Sequence, residues 1–328
     1  MELNIKELKK YCNPSYITIR KDKLIVNNRR LAKLSRQKIN QIEKDFNIPV
    51  VISKSYEEVS QKMGRYISKK GIISPKDAII VGLSGGKDSL LLLHLLESYR
   101  RKFGISIYAI TVDLNIDGTR PWKNNSKGVK LIKNHCDNLQ IPHKVISFDD
   151  NIVELSNILS QNTKGMEYSP CFSCSVIRRH VLTKYAHDLM NNNNLLKLPK
   201  ICFGHTLDDN SDTVLANIFK GDIIRVLEPI KNFDETTVNF GDKKIQLKRS
   251  IIIRPMLNIY ERDILKALSE CGITYYNDKD MCPYSRNRGD SIRKKSHEII
   301  QELEKDVKNI REMIVSSVIK SIDYYKKG

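Results

Sequence analysis

The sequence is short of negative charge, of long apolar runs and of paired cysteines, and each shortage excludes something. The 56 Lys and Arg residues outnumber the 38 Asp and Glu, leaving a net charge of +18 over 328 residues. An excess of that size draws polyanions to the surface, and nucleic acid is the obvious one. The longest leucine-rich stretch, residues 90–96, is broken by His94 and is far too short to span a bilayer. The opening residues, MELNIKELKK, lack the apolar core of a secretory signal, so a soluble, cytoplasmic protein with no membrane partner is expected. Seven cysteines include one C-x-x-C pair and no second, which argues against a disulfide framework and against a four-cysteine zinc site. No internal repeat is visible.

What is present suits a folded chain: 40% hydrophobic and 29% charged residues can bury a sizeable core. The positive charge is clustered. Residues 1–40 hold eleven Lys or Arg against three acids, Lys243, Lys244, Lys248 and Arg249 form a second group, and Arg286, Arg288, Arg293, Lys294 and Lys295 a third. One such group is commonly a solvated face; three together favour an extended anionic track. An AT-rich coding bias, suggested by the run Asn191 to Asn194, accounts for part of the lysine content.

From about residue 77 the pattern alternates between short apolar runs and amphipathic stretches. That rhythm predicts an α/β fold with a parallel sheet and helices on both faces. Strands are expected at 77–83, 105–112, 143–148, 200–204 and 250–254, and helices at 88–101, 127–139, 173–190, 208–219, 260–270 and 291–325, the last as one helix or two. Residues 222–249 read as a loop or hairpin insertion. Residues 1–55 break the rhythm, with a small hairpin at 16–26 and a helix at 35–46. Three parts are therefore expected: a basic appendage at 1–55, a catalytic domain at 56–260 and a helical region at 261–328.

Between the first strand and its helix lies Ser84-Gly85-Gly86-Lys87-Asp88-Ser89. Phosphate-binding loops occur at this position, because a helix N-terminus offers unpaired N–H groups and the positive end of its dipole. Gly85 and Gly86 let the backbone approach phosphate closely, Ser84 and Ser89 add hydroxyls, and Asp88 can hold Mg²⁺. A Walker A loop would need Gly at Val81 and Ser or Thr at Asp88, and a dinucleotide fingerprint would need Gly at Ser84. S-G-G-x-D-S after a strand instead resembles the PP-loop ATP pyrophosphatases. That resemblance implies ATP cleavage between the α and β phosphates, with AMP transferred to a substrate oxygen. It also places an adenine or ribose contact at Val112-Asp113.

Cys171-Phe172-Ser173-Cys174 opens a helix and brings two thiols to one side of its first turn. Taken alone the pair is half a zinc site, a redox dithiol or part of an iron–sulfur site. Cys282, in Asp280-Met281-Cys282-Pro283-Tyr284-Ser285, lies in a polar segment, whereas Cys136, Cys202 and Cys271 fall in strand or helix patterns. The order of the phosphate loop, C-x-x-C-x-x-x-R-R, Gly204-His205-Thr206-Leu207-Asp208-Asp209, Arg254-Pro255-Met256 and Cys-Pro-Tyr-Ser resembles the tRNA 2-thiolation enzymes, over about residues 60–300. The resemblance implies a 4Fe–4S cluster on Cys171, Cys174 and Cys282 with one iron free of protein ligands. It also implies adenylation of the C2 oxygen of a pyrimidine and its replacement by sulfur. Arg178 would contact phosphate or developing charge, Asp208 and Asp209 would hold Mg²⁺ or orient the nucleotide, and Gly204 would let a strand end approach ATP. A surface arginine and an acidic helix cap are the plainer readings of Arg178 and the Asp pair.

The implied partners are tRNA and a sulfur donor, whether sulfide, a cysteine desulfurase or a sulfur-carrier protein; dimers are common in that family, which leaves a homodimer open. Cys-Pro-Tyr-Ser is nearer the 2-thiouridine branch and Ser175 nearer the 2-thiocytidine branch, so either base remains open. The terminal zinc ribbons of the former branch are missing. Three other readings stay in view: a persulfide on Cys171 or Cys174 without a cluster, a PP-loop ligase or amidase, and a non-catalytic ATP-switched RNA-binding protein.

Overall fold

A computed structural model of the protein describes residues 4–162, 168–276, 282, 284 and 292–325. Arg286 and Arg288 of the third basic group, and Asp280, Met281, Pro283 and Ser285 around Cys282, lie outside the described residues.

The N-terminal part contains α1 (Ile5–Tyr11), a 3₁₀ turn (Pro14–Tyr16), β1 (Ile17–Ile19), β2 (Leu24–Val26), α2 (Arg29–Ala32), α3 (Arg36–Phe46) and β3 (Val50–Val51). Alternation in residues 16–26 yields the expected hairpin, with Ile17 opposite Val26 and Ile19 opposite Leu24. β3 then joins β2 in parallel, a two-residue strand too short to leave a periodic trace. Leu8, Ile17, Leu24, Ala32 and Ile42 close an apolar cluster of their own beneath this small sheet. Asn4, Asn28 and Ser35 cap the three helices by accepting from backbone N–H groups.

The main body follows with α4 (Lys54–Lys70), β4 (Ala78–Gly82), α5 (Lys87–Phe103), β5 (Ser106–Asn115), α6 (Lys127–Leu139), β6 (His143–Asn151), α7 (Ile152–Gln161), α8 (Pro170–Asn192), β7 (Lys200–Cys202) and α9 (Leu207–Phe219). Next come β8 (Ile230–Phe233), β9 (Thr236–Phe240), β10 (Lys243–Leu247), β11 (Ser250–Ile253) and α10 (Glu261–Glu270), then α11 (Ile292–Leu303) and α12 (Ile310–Tyr325). The C-terminal stretch is thus two helices among the described residues.

The central sheet runs β6-β5-β4-β7-β11-β8. All its neighbours pair in parallel except β8, which lies antiparallel to β11. The expected α/β architecture is present, with one correction: the 222–249 insertion adds an edge strand to the sheet before making the hairpin β9–β10. The apolar signal of β8 is confined to Ile230 and Phe233, with Lys231 and Asn232 between them, as suits an edge strand.

Alternate residues of each strand go to opposite faces. Ile79 and Val81 pack with α4, α5, α6 and α10, whereas Ile80, Ile110 and Val112 pack with α7, α8 and the β9–β10 hairpin. The chain leaves β4 for β5 and β6, then returns to the other side of β4 with β7. This reversal opens a crevice at the carboxyl ends of β4 and β7, where open α/β sheets bind ligands. No helix among the described residues is long and apolar enough to cross a membrane.

Candidate active site

The crevice is built from two adjoining cavities. The first, of about 230 Å³, is lined by Ser84, Gly86, Asp88 and Ser89 from the β4–α5 loop and by Val112, Trp122, Arg178, Leu182, Gly204, His205 and Asp209 around it. Gly85 holds φ at +77°, a conformation open to glycine at little cost, and its carbonyl accepts from the N–H of Tyr276 at 2.8 Å. No side chain caps α5 at Gly86, so the N–H groups of its first turn are left for another acceptor. The Ser84 and Ser89 hydroxyls lie 3.3 Å apart across the loop.

Gly204 is needed for packing. A Cβ there would stand 2.9 Å from the backbone carbon and oxygen of Asp88 and 3.1 Å from the Ser89 nitrogen. The end of β7 therefore rests directly on the first turn of α5.

Asp88 is half-buried, with one carboxylate oxygen bound to the Lys87 ammonium at 3.1 Å and the other buried without a hydrogen-bond partner. Burial pushes its pKa up to about 7 against the pull of Lys87, with Asp209 adding to the rise. An orphaned buried carboxylate oxygen beside an uncapped helix start fits a magnesium ion carried with a nucleotide's phosphates. Lys87 is held by Asp88 and by Glu261 at 3.2 Å; burial opposes its charge, and these two carboxylates outweigh burial.

The two aspartates of α9 part company. Asp209 lines the cavity, closes a capping box with Thr206 and pairs with Arg293 at 2.6 Å. Burial would raise its pKa, but Arg293, His205 and the Thr206 donors bring it below the usual range. Asp208 turns away: its carboxylate accepts from the N–H of Glu261 at 2.8 Å and meets buried Arg311 at 3.2 Å. Asp113 is likewise outside the lining, buried beside Arg120 at 3.1 Å, while Val112 is in it. One residue per step reverses direction along a strand, so only one of two neighbours can face a given cavity.

The second cavity, of about 470 Å³, is lined by Cys171, Cys174, Ser175, Arg178, Arg179, Phe203, His205, Arg254, Cys282 and Tyr284 among others. The α8 helix supplies its cysteine pair and Arg178 from one face. Positions 171, 174, 175 and 178 follow the three- and four-residue spacing that aligns side chains on a helix. Ser173 and Ile177 point the other way and are fully buried, Ser173 against the Ser156 hydroxyl at 2.8 Å. The three cysteines expected to act together thus border one space, Cys171 exposed and the other two half-buried. Among the described residues no three His, Cys, Asp or Glu side chains converge on a single ion. Three thiols around a shared chamber suit a polynuclear group larger than one ion, and thiolate is the usual protein donor to iron–sulfur clusters.

Arg178, Phe203 and His205 line both cavities and form their common wall. Burial pushes the His205 pKa down to about 4, so the ring is neutral, and its Nδ1 is buried without a partner. Sequence reasoning missed Trp122, 8% exposed on the apolar side of the first cavity with Ile110 and Leu182. Its one signal was being the only tryptophan in the chain. Arg254, known from the sequence only as part of a motif, is buried in the second cavity, donating to the Glu228 carbonyl at 2.9 Å.

The PP-loop domain family matches residues 54–302. A probable sulfurtransferase of Methanocaldococcus jannaschii is 59% identical over 329 aligned residues, spanning 100% of this chain and 98% of that protein. The tRNA 2-thiolation protein NcsA of Haloferax volcanii is 26% identical over 273 residues, 79% of this chain and 76% of that one. Among solved structures, the U34-tRNA thiolase NcsA from Methanococcus maripaludis with its 4Fe-4S cluster superposes with a TM-score of 0.59 at 24% identity. That match covers 82% of this chain and 79% of the other, and it is a likeness of fold.

Proposed function

This chain belongs to the PP-loop family, and from that premise we propose that it is an ATP-dependent tRNA sulfurtransferase acting on the C2 oxygen of a pyrimidine. The observation that carries the reading is the common wall: the phosphate loop and the three-cysteine chamber are neighbours separated by Arg178, Phe203 and His205. In this reading residues 56–260 form the catalytic domain, 261–328 a helical region carrying the third cysteine, and 1–55 an appendage.

ATP sits with its phosphates on the uncapped turn of α5 and its adenine against Trp122 and Val112. The substrate C2 oxygen attacks the α-phosphorus, the bond to the β-phosphate breaks, and pyrophosphate leaves into the N–H and hydroxyl donors of Gly86, Ser84 and Ser89. Asp88 would hold a magnesium ion, which would supply charge to neutralise the departing pyrophosphate. Arg178 faces both chambers and so lies beside the charge passing between them; about 10 Å of helix separates it from Cys171. His205, being neutral, adds no charge to that wall. Cys171, Cys174 and Cys282 would hold a 4Fe–4S cluster, which supplies sulfur-transfer chemistry through an iron that no protein thiolate occupies. Sulfide-level sulfur from the donor attacks C2, the bond from C2 to the adenylated oxygen breaks, and AMP departs carrying that oxygen.

The test is an iron and acid-labile sulfide assay on protein purified without oxygen, wild type beside Cys282→Ala, with tRNA-dependent pyrophosphate release measured in parallel. About four irons per chain, lost in the variant, is the expected result. Protein that thiolates tRNA but holds no iron after reconstitution would sink the cluster and leave a persulfide on Cys171 or Cys174.

A further inference from the structure

A third cavity, of about 320 Å³, lies away from the site just described, where the N-terminal part meets α4 and α5. Its walls are Tyr16, Asn27 and Asn28 from the N-terminal part, Gln61 and Arg65 from α4, and Tyr99 and Lys102 from α5, with serines between them. The lining carries two cations and no carboxylate. Among the described residues neither Arg65 nor Lys102 is paired with an acid. The Lys102 ammonium instead lies over the rings of Tyr16, Tyr99 and Phe103, at 5.6, 5.6 and 5.1 Å from their centroids. Burial pulls its pKa below the usual lysine range, as expected of a cation short of a counter-anion. Gly64 keeps the floor open, since a Cβ there would come within 3.2 Å of the Tyr99 hydroxyl.

Cations, aromatic faces, side-chain amides and hydroxyls together match one ligand chemistry. Phosphate pairs with arginine and lysine, a base stacks on tyrosine, and amides read its edge or the 2′-hydroxyl. Arg30 and Lys33, on and beside α2, are exposed and neighbour the lining residue Leu31 in sequence. The setting favours a nucleotide within an RNA strand over a free one. The cavity borders residues 1–40, which hold eleven Lys or Arg against three acids in a chain with net charge +18, and those residues precede the segment that the PP-loop family matches, 54–302.

We propose that this cavity seats an unpaired nucleotide of the RNA substrate and that residues 1–55 are the RNA-anchoring module of the enzyme. The proposal rests on the RNA-modifying function above and adds a contact remote from the chemistry. Ser89 and Lys102 lie on the same helix, α5, so about 20 Å separates the phosphate loop from this anchor. An RNA that fills both must span that distance, and binding energy gained at the anchor helps hold the target base at the catalytic wall.

The test measures anisotropy of a fluorescein-labelled, unmodified tRNA transcript over a range of salt, for wild type and Arg65→Gln/Lys102→Gln. The double variant is expected to bind about tenfold or more weakly, with the slope of log K against log salt reduced by about 1.5. Its affinity for ATP and its iron content should match wild type, showing that the fold and catalytic cavities are intact. Ultraviolet cross-linking of the wild-type complex should mark peptides containing Tyr16 or Tyr99. Equal tRNA affinity and slope in the two proteins would overturn the anchor. So would a free nucleoside monophosphate that fills the cavity without competing against tRNA. Wild-type protein that shows the expected tRNA binding and cross-links yet thiolates no tRNA would instead refute the catalytic reading and leave the anchor standing.

Discussion

Asp88 faces two opposed demands: one of its carboxylate oxygens is buried, and in the proposed mechanism it carries charge to hold a cation. Its folded-state pKa, raised to about 7 by burial, exceeds the ordinary value of 3.8, so the folded protein holds that proton more tightly than the unfolded chain. The stability this contributes is complete below 3.8 and is lost as pH rises through about 7. Asp88→Asn has no such charge to bury. Without magnesium it should melt above wild type at pH 8, with the gap closing by about pH 4 in scanning calorimetry. The same variant should lose about 100-fold or more in pyrophosphate release, because the orphaned oxygen is also the proposed magnesium donor. Arg178→Gln should leave iron content and ATP affinity near wild type while slowing tRNA-dependent pyrophosphate release by about 100-fold. An arginine with no catalytic part would change none of the three.

At the scale of elements, the site depends on how closely β7 and α9 approach α5. Gly204→Ala would drive a methyl group into the backbone of Asp88 and Ser89, atoms that cannot swing aside as a side chain can. Overpacking of this kind costs about 1–3 kcal/mol, and here it displaces the phosphate loop itself. Calorimetric titration with ATP should show affinity weakened about tenfold, alongside a lower Tm. The sequence could nominate Gly204 for a close approach, since a motif glycine at a strand end has few other uses. It could not say what approaches, because Asp88 and Gly204 meet only once β7 is inserted beside β4. The C-x-x-C-x-x-x-R spacing was fully legible, because helical periodicity puts Cys171, Cys174 and Arg178 on one face wherever α8 is placed. The Asp208–Asp209 pair was half legible: adjacent residues on a helix diverge by about 100°, and which one faces inward depends on Arg311 and Arg293 from distant elements.

At the scale of the molecule, the C-terminal helices are tied to the main body by several charged pairs, and Arg311 makes the most deeply buried of them. Arg311 is fully buried and meets Asp208, Asp212 and Glu304 at 3.2, 2.8 and 3.0 Å. Asp212 also accepts from the ring of His297 of α11, and that hydrogen bond raises the His297 pKa. Replacing Arg311 by Met would leave buried carboxylates facing one another without their cation. A loss of about 3–5 kcal/mol is expected by urea denaturation, since breaking a buried ion pair strands its partners. The histidine pair weakens as pH rises: its contribution is present below the ordinary histidine pKa and is lost as pH climbs through the higher folded value. That contribution is smaller, because His297 is only half-buried.

Local pattern was enough to determine the strand–helix alternation, the phosphate loop at the first crossover, the shared face of the cysteine pair and Arg178, and the basic character of residues 1–40. Each is written in spacing or charge over a few turns of chain, and neither depends on what packs against it. Contacts between distant segments had to be decided by tertiary structure. Among these are Cys282 coming to the chamber of Cys171 and Cys174, Trp122 walling the nucleotide cavity, and β8 pairing with β11. Arg178, Phe203 and His205 become a common wall only when β7 is laid against β4 with α8 across the sheet face. Periodicity assigns a residue to a face of its own element; which faces meet depends on the packing of all the elements at once, and that is not a local property of the chain.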